Sequence, residues 1–87
     1  MFTNPTRILE ARTYAFPVEL TLEDDGTWSV IFPDLPGCVT MGDSREEALA
    51  NANEAAGLHV EVLRDRSLPI PAASAPAGGA PVVFVRV

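Results

Sequence analysis

From Tyr14 the chain alternates. Tyr14, Phe16, Val18, Leu20 and Leu22 fall on one side, with Glu19, Thr21 and Glu23 on the other, which is the period of two of a half-buried strand. Pro17 has no N–H to give a ladder, so it belongs at the start of this strand, at a bulge or facing away from a partner. Glu23-Asp24-Asp25-Gly26-Thr27 reads as a hairpin turn, because Asp25-Gly26 tolerates positive φ. In the second strand Trp28, Val30 and Phe32 share one face while Ser29 and Ile31 share the other, and Pro33 stops it. Asp34-Leu35-Pro36-Gly37 then makes a tight turn, with Pro36-Gly37 suited to the centre of a type II turn. Cys38 to Met41 is a short third strand closed by Gly42.

The period then changes to that of a helix. Ser44-Arg45-Glu46-Glu47 is a capping box, in which the Ser44 hydroxyl and the Glu47 side chain satisfy orphan amides reciprocally. Asp43, Glu46 and Glu47 also suit the positive end of the helix dipole, and Arg64 and Arg66 the negative end. Ala48, Leu49, Ala52, Ala56, Val60 and Leu63 form one apolar stripe, whose alanines allow close approach to a sheet. Gly57 costs about 1 kcal/mol against alanine in a helix interior and so hints at a close contact. Pro69 is expected to end the helix.

Residues 69–81 carry four prolines and two glycines and read as an extended connector. Val82 to Val87 is strongly β-prone and makes a final strand, apolar on both sides. The order is β-β-β-α-β. Returned by one helix, the last strand is expected to run parallel to the first and third. The expectation is an α+β, two-layer sandwich with one helix over a four-stranded sheet. One helix covers only one face of that sheet, and the uncovered apolar surface favours a homodimer or higher homo-oligomer, or a bound partner. Residues 1–12 read as an arm of mixed polarity, and 13–87 as a single domain.

Composition narrows the functional classes. The chain has 87 residues, with 12 acids against 6 bases and a formal charge of −6. That balance argues against direct nucleic-acid binding, which needs clustered positive charge, and suits a basic protein partner. One cysteine, Cys38, and one histidine, His59, allow neither a disulfide framework nor a zinc cage. No apolar run reaches membrane-span length and no secretion signal opens the chain, so a cytoplasmic protein is expected. Cys38 and His59 could suggest a thiolate–imidazole pair, but nothing supplies the third, orienting group. No catalytic, metal or cofactor site is expected.

Phe32-Pro33-Asp34-Leu35-Pro36-Gly37-Cys38, followed by Gly42-Asp43-Ser44-Arg45-Glu46-Glu47-Ala48, resembles the HicB-like antitoxin family. The hairpin from Val18 to Trp28 and the alanine-rich helix match as well, so the resemblance runs from about Tyr14 to Pro71. It implies a truncated ribonuclease-H-like fold with strand order 3-2-1-4. It also implies a partner: a small basic HicA-type, mRNA-cleaving toxin, neutralised when the antitoxin covers its active surface. Many relatives continue into a DNA-binding domain. This sequence ends after the last strand, so no direct operator binding is expected.

The candidate partner-binding residues are Asp24 and Asp25 in the hairpin and Asp34, Leu35, Pro36 and Gly37 in the loop, with Ser44 and Glu47 as the helix cap. The loop has a purely structural reading too, as a turn in which Asp34 bonds its own backbone. The competing functional reading is a stand-alone oligomeric domain with a regulatory or small-ligand-binding role and no toxin.

Overall fold

A computed structural model of the chain describes residues 13–75 and 78–86, and the expected N-terminal arm lies outside them. The elements in order are β1 (Thr13–Pro17), β2 (Glu19–Leu22), β3 (Trp28–Ile31), β4 (Val39–Gly42), α1 (Arg45–Asp65) and β5 (Val82–Arg86). The architecture is α+β, but the single four-stranded sheet expected in the order 3-2-1-4 is not built. Instead β1 and β5 form a two-stranded sheet, and β2, β3 and β4 a three-stranded one.

Two prolines account for the split. The alternating segment that reads as one strand breaks at Val18 into β1 and β2. Val18 N–H donates to Pro81 C=O at 3.0 Å, and Glu23 N–H donates to Thr27 C=O at 2.8 Å. Since bonded pairs recur every second residue, even-numbered residues here turn their backbone groups towards β5 and odd-numbered ones towards β3. The β2–β3 ladder pairs Glu19 with Ile31. Its next bonded pair would be Pro17 with Pro33, and neither has an N–H to give. The ladder therefore stops, while Pro17 costs nothing on its β5 side, opposite Val82.

The direction of the last strand also departs from expectation, because β5 is antiparallel to β1. The helix reverses the chain once, and the connector reverses it again. It passes Asp34 at Ser74 and reaches Val18 at Pro81, so β5 enters from the opposite end.

The helix forms as its sequence predicts at the start and ends earlier than predicted. Ser44 Oγ accepts from Glu47 N–H at 3.0 Å, and Glu47 Oε1 accepts from Asp43 N–H at 2.6 Å, completing the box. At the far end Ser67 N–H donates to Arg64 C=O and Leu68 N–H to Leu63 C=O, with Ser67 at φ 55°. That is a Schellman stop, two residues before Pro69. Ala48, Ala52, Ala56 and Val60 are fully buried and pack on Phe16, Val18, Val30, Phe32, Val83 and Val85. Gly57 makes no close contact, whereas a Cβ on Gly42 would lie 2.7 Å from Ala48 Cα. The glycine needed for close approach is therefore the one at the β4–α1 junction.

Two helix amides tie both sheets to α1. Asn51 Nδ2 donates to Met41 C=O at 2.8 Å, and Asn53 Nδ2 donates to Phe84 C=O. By the alternation of bonded pairs, both carbonyls face outward from their ladders. The side chains of Asn51 and Asn53, two residues apart, reach to either side of the buried Ala52. Each occupies a free sheet edge that would otherwise present unpaired groups.

Candidate functional site

The residues singled out from sequence fall at two separate places. The hairpin closes at the end of the three-stranded sheet where Leu22, Trp28 and Gly42 lie in one row. The Asp34 loop joins β3 to β4 at the opposite end, so Asp24 and Asp25 share no surface with residues 34–37.

At the hairpin end the polar groups serve one another. Asp25 Oδ1 accepts from Thr27 Oγ1 at 2.6 Å and from Thr27 N–H at 3.0 Å, and these bonds hold its carboxyl below the ordinary range. Glu23 accepts from Ser29 Oγ at 2.6 Å. Gly26, at φ 90°, completes the turn. Asp24 is exposed at the tip. This is a hairpin whose acids secure its own shape.

The loop between β3 and β4 is two successive turns. Leu35 N–H donates to Phe32 C=O and Cys38 N–H donates to Leu35 C=O. Gly37 at φ 85° occupies the third position of the type II turn that Pro36-Gly37 predicts. Leu35 is 0% exposed, so its side chain is a core plug, and only Pro36 and Gly37 lie open. Asp34 does not bond its own backbone. Its carboxylate reaches across to the connector, accepting from Ser74 Oγ at 2.6 Å and from Ser74 N–H at 2.7 Å. Those two bonds hold the Asp34 carboxyl below its usual value.

Beside this loop lies an open groove that the sequence reading did not assemble. Gly37, Cys38 and Val39 form one wall; Ala55, Leu58, His59 and Val62 of α1 form the other. Leu58 is 59% exposed and Val62 49%, bare apolar side chains on the helix wall, whereas Val39, paired with Ile31, borders the groove at the strand and turns its side chain to the far face of the sheet. Leu58 and Val62, four residues apart, are on one helix face. The signal was present in the sequence as apolar residues off the buried stripe, and only β4 packing beside α1 turns them into a surface. Cys38 and His59 both line this groove, but burial pushes the Cys38 thiol up, so it is a neutral thiol at pH 7. Among the described residues no three His, Cys, Asp or Glu side chains gather as a metal site requires.

Similarity to known proteins places the chain in a family. Residues 16–78 match the family described as the HicB-like antitoxin of bacterial toxin–antitoxin systems. The chain is 39% identical to the Thermoplasma acidophilum UPF0150 protein Ta0767 over 56 residues, 64% of this chain and 81% of that protein. It is 44% identical to Antitoxin HicB 2 of Photorhabdus laumondii over 45 residues, 52% of this chain. The match spans only 32% of that antitoxin's length. Among solved structures, the N-terminal domain of the Burkholderia pseudomallei antitoxin HicB superposes with a TM-score of 0.65 at 26% identity, covering 84% of this chain and 94% of that one. A HicA3–HicB3 toxin–antitoxin complex contains a chain that superposes with a TM-score of 0.58 at 26% identity, covering 82% and 94%. With the family matched over most of its length, this chain belongs to the HicB-like antitoxins of bacterial toxin–antitoxin systems.

Proposed function

We propose that the protein is a cytoplasmic antitoxin module that neutralises a small, basic, HicA-type mRNA-cleaving toxin by covering its active surface, with no catalysis of its own. The observation that carries this reading is an acidic domain of net charge −6 with an open groove beside which Leu58 and Val62 lie bare. Opposite charge speeds encounter with a basic ribonuclease and fixes orientation, while apolar burial supplies the hold. The domain itself makes no direct contact with nucleic acid, since its charge repels phosphate.

The test is co-expression of the chain with the HicA-type protein of its own host. Growth should be rescued, and the pair should co-purify at moderate salt and separate as salt rises. Continued toxicity, with no complex at any salt, would refute the reading. A self-associating domain without a toxin is the competitor, favoured by Ile31 and Met41, 40% and 48% exposed on the sheet face away from the helix. Recovery of the chain alone, as a stable oligomer, would select it.

A further inference from the structure

The antitoxin reading leaves the contact surface unassigned, and the candidates from sequence stand at opposite ends of the sheet. We infer that the toxin-facing surface is the groove between β4 and the C-terminal half of α1, seating an apolar ridge flanked by basic residues on the partner. This inference rests on the antitoxin reading for its partner, but the location comes from the groove itself.

Three observations converge. Leu58 and Val62 are each about half exposed or more, and with His59, Gly37 and Cys38 they line a concave surface. Glu54, Glu61 and Asp65 are exposed and stand four, three and seven residues from Leu58, so they flank it along one side of the helix. Arg64 projects about a third of a turn away from Leu58 around the helix, outside that acidic edge. An apolar stripe with an acidic margin is complementary to a basic partner.

The same arrangement disfavours a second copy of this chain. In a two-fold interface each surface meets itself. Antiparallel pairing of two α1 helices through Leu58 and Val62 would set the acidic edge of one against the acidic edge of the other. Pairing through the free edge of β4 meets a different obstacle, because Asn51 already occupies the outward carbonyl of Met41. The hairpin is the weaker candidate for the toxin. Its Asp25 and Glu23 carboxylates are engaged by Thr27 and Ser29.

The decisive experiment places a photocrosslinking benzoylphenylalanine at position 58 or at position 24 of the full chain, in the native host, and identifies the adducts by mass spectrometry. The inference expects an adduct from position 58 with a small basic protein and none from position 24. That protein, purified, is then titrated against exposed-surface variants that keep the wild-type melting temperature. Glu54→Lys with Glu61→Lys should weaken binding about tenfold at moderate salt. Leu58→Asp should weaken it about tenfold or more. Asp24→Lys should stay within about threefold. An adduct from position 24 alone, an adduct of the chain with itself at position 58, or no adduct from either overturns the surface. So does undiminished binding by Leu58→Asp. The antitoxin reading stands or falls separately, on rescue from the toxin and recovery of a basic partner by the unmodified chain.

Discussion

At the hairpin end of the three-stranded sheet, the carboxylates of Glu23, Asp25 and Glu47 accept hydrogen bonds from Ser29, Thr27 and Asp43. At the loop end, Glu54, Glu61 and Asp65 lie exposed beside bare apolar side chains. Acidic residues are therefore plentiful at both ends but do different work. The first set shapes a turn and starts a helix, while the second borders a surface that leaves apolar area in water. An acidic cluster in a sequence does not distinguish these uses. The distinction lies in whether nearby donors are within reach, and in what the neighbouring side chains bury.

The largest effect that would test this contrast is at the junction behind the hairpin end. Gly42→Ala places a Cβ against the backbone of Ala48, where no flexible side chain can yield, and should destabilise by about 3 kcal/mol. A calorimetric melting temperature unchanged by this substitution would mean that β4 and the start of α1 are not packed as described. Ser44→Ala should cost about 1 kcal/mol in denaturant titrations by removing the cap. The loop-end half of the helix should respond in the opposite direction. Gly57→Ala meets open space and should stabilise by about 1 kcal/mol through helix propensity. Loss of stability there would reveal a hidden constraint on α1.

The smallest effect is at the Asp34–Ser74 contact. The bonds from Ser74 hold the Asp34 carboxyl below the ordinary aspartate value of 3.8 in the folded protein. Its contribution to stability is therefore present above about pH 4 and lost as pH falls through the folded value. Ser74→Ala should move the Asp34 midpoint upward in an NMR titration, shrink that acid-side loss, and change stability near neutrality by under about 1 kcal/mol. An unmoved midpoint would show that the connector does not rest on the loop.

What was legible from residues alone follows from how local each determinant is. The capping box, the type II turn at Pro36-Gly37 and the Asp25-Gly26 hairpin are settled within five residues, and all three form as read. The family motif was legible for the same reason. The split sheet was not, because it depends on Pro17 facing Pro33, which appears only once the β2–β3 register is known. The direction of β5 depended on where the connector crosses the core, and the partner of Asp34 is 40 residues away. Leu35 read as a surface residue because its neighbours are turn formers, yet its side chain is in the core. Asn51 and Asn53 carry no local signal, since an asparagine on the polar side of a helix ordinarily has no structural role.

The pairing of Thr13–Pro17 with Val82–Arg86 has a kinetic consequence. β1 has its ladder partner nearly 70 positions downstream, so on the ribosome it emerges early and waits unpaired until the chain through β5 has been made. The hairpin, the turns and the helix can form while synthesis proceeds. Closing the two-stranded sheet carries the entropy of the long intervening loop and comes last. Tyr14 and Phe16 remain uncovered over that interval, which is when a newly made chain of this protein is most prone to association with its neighbours.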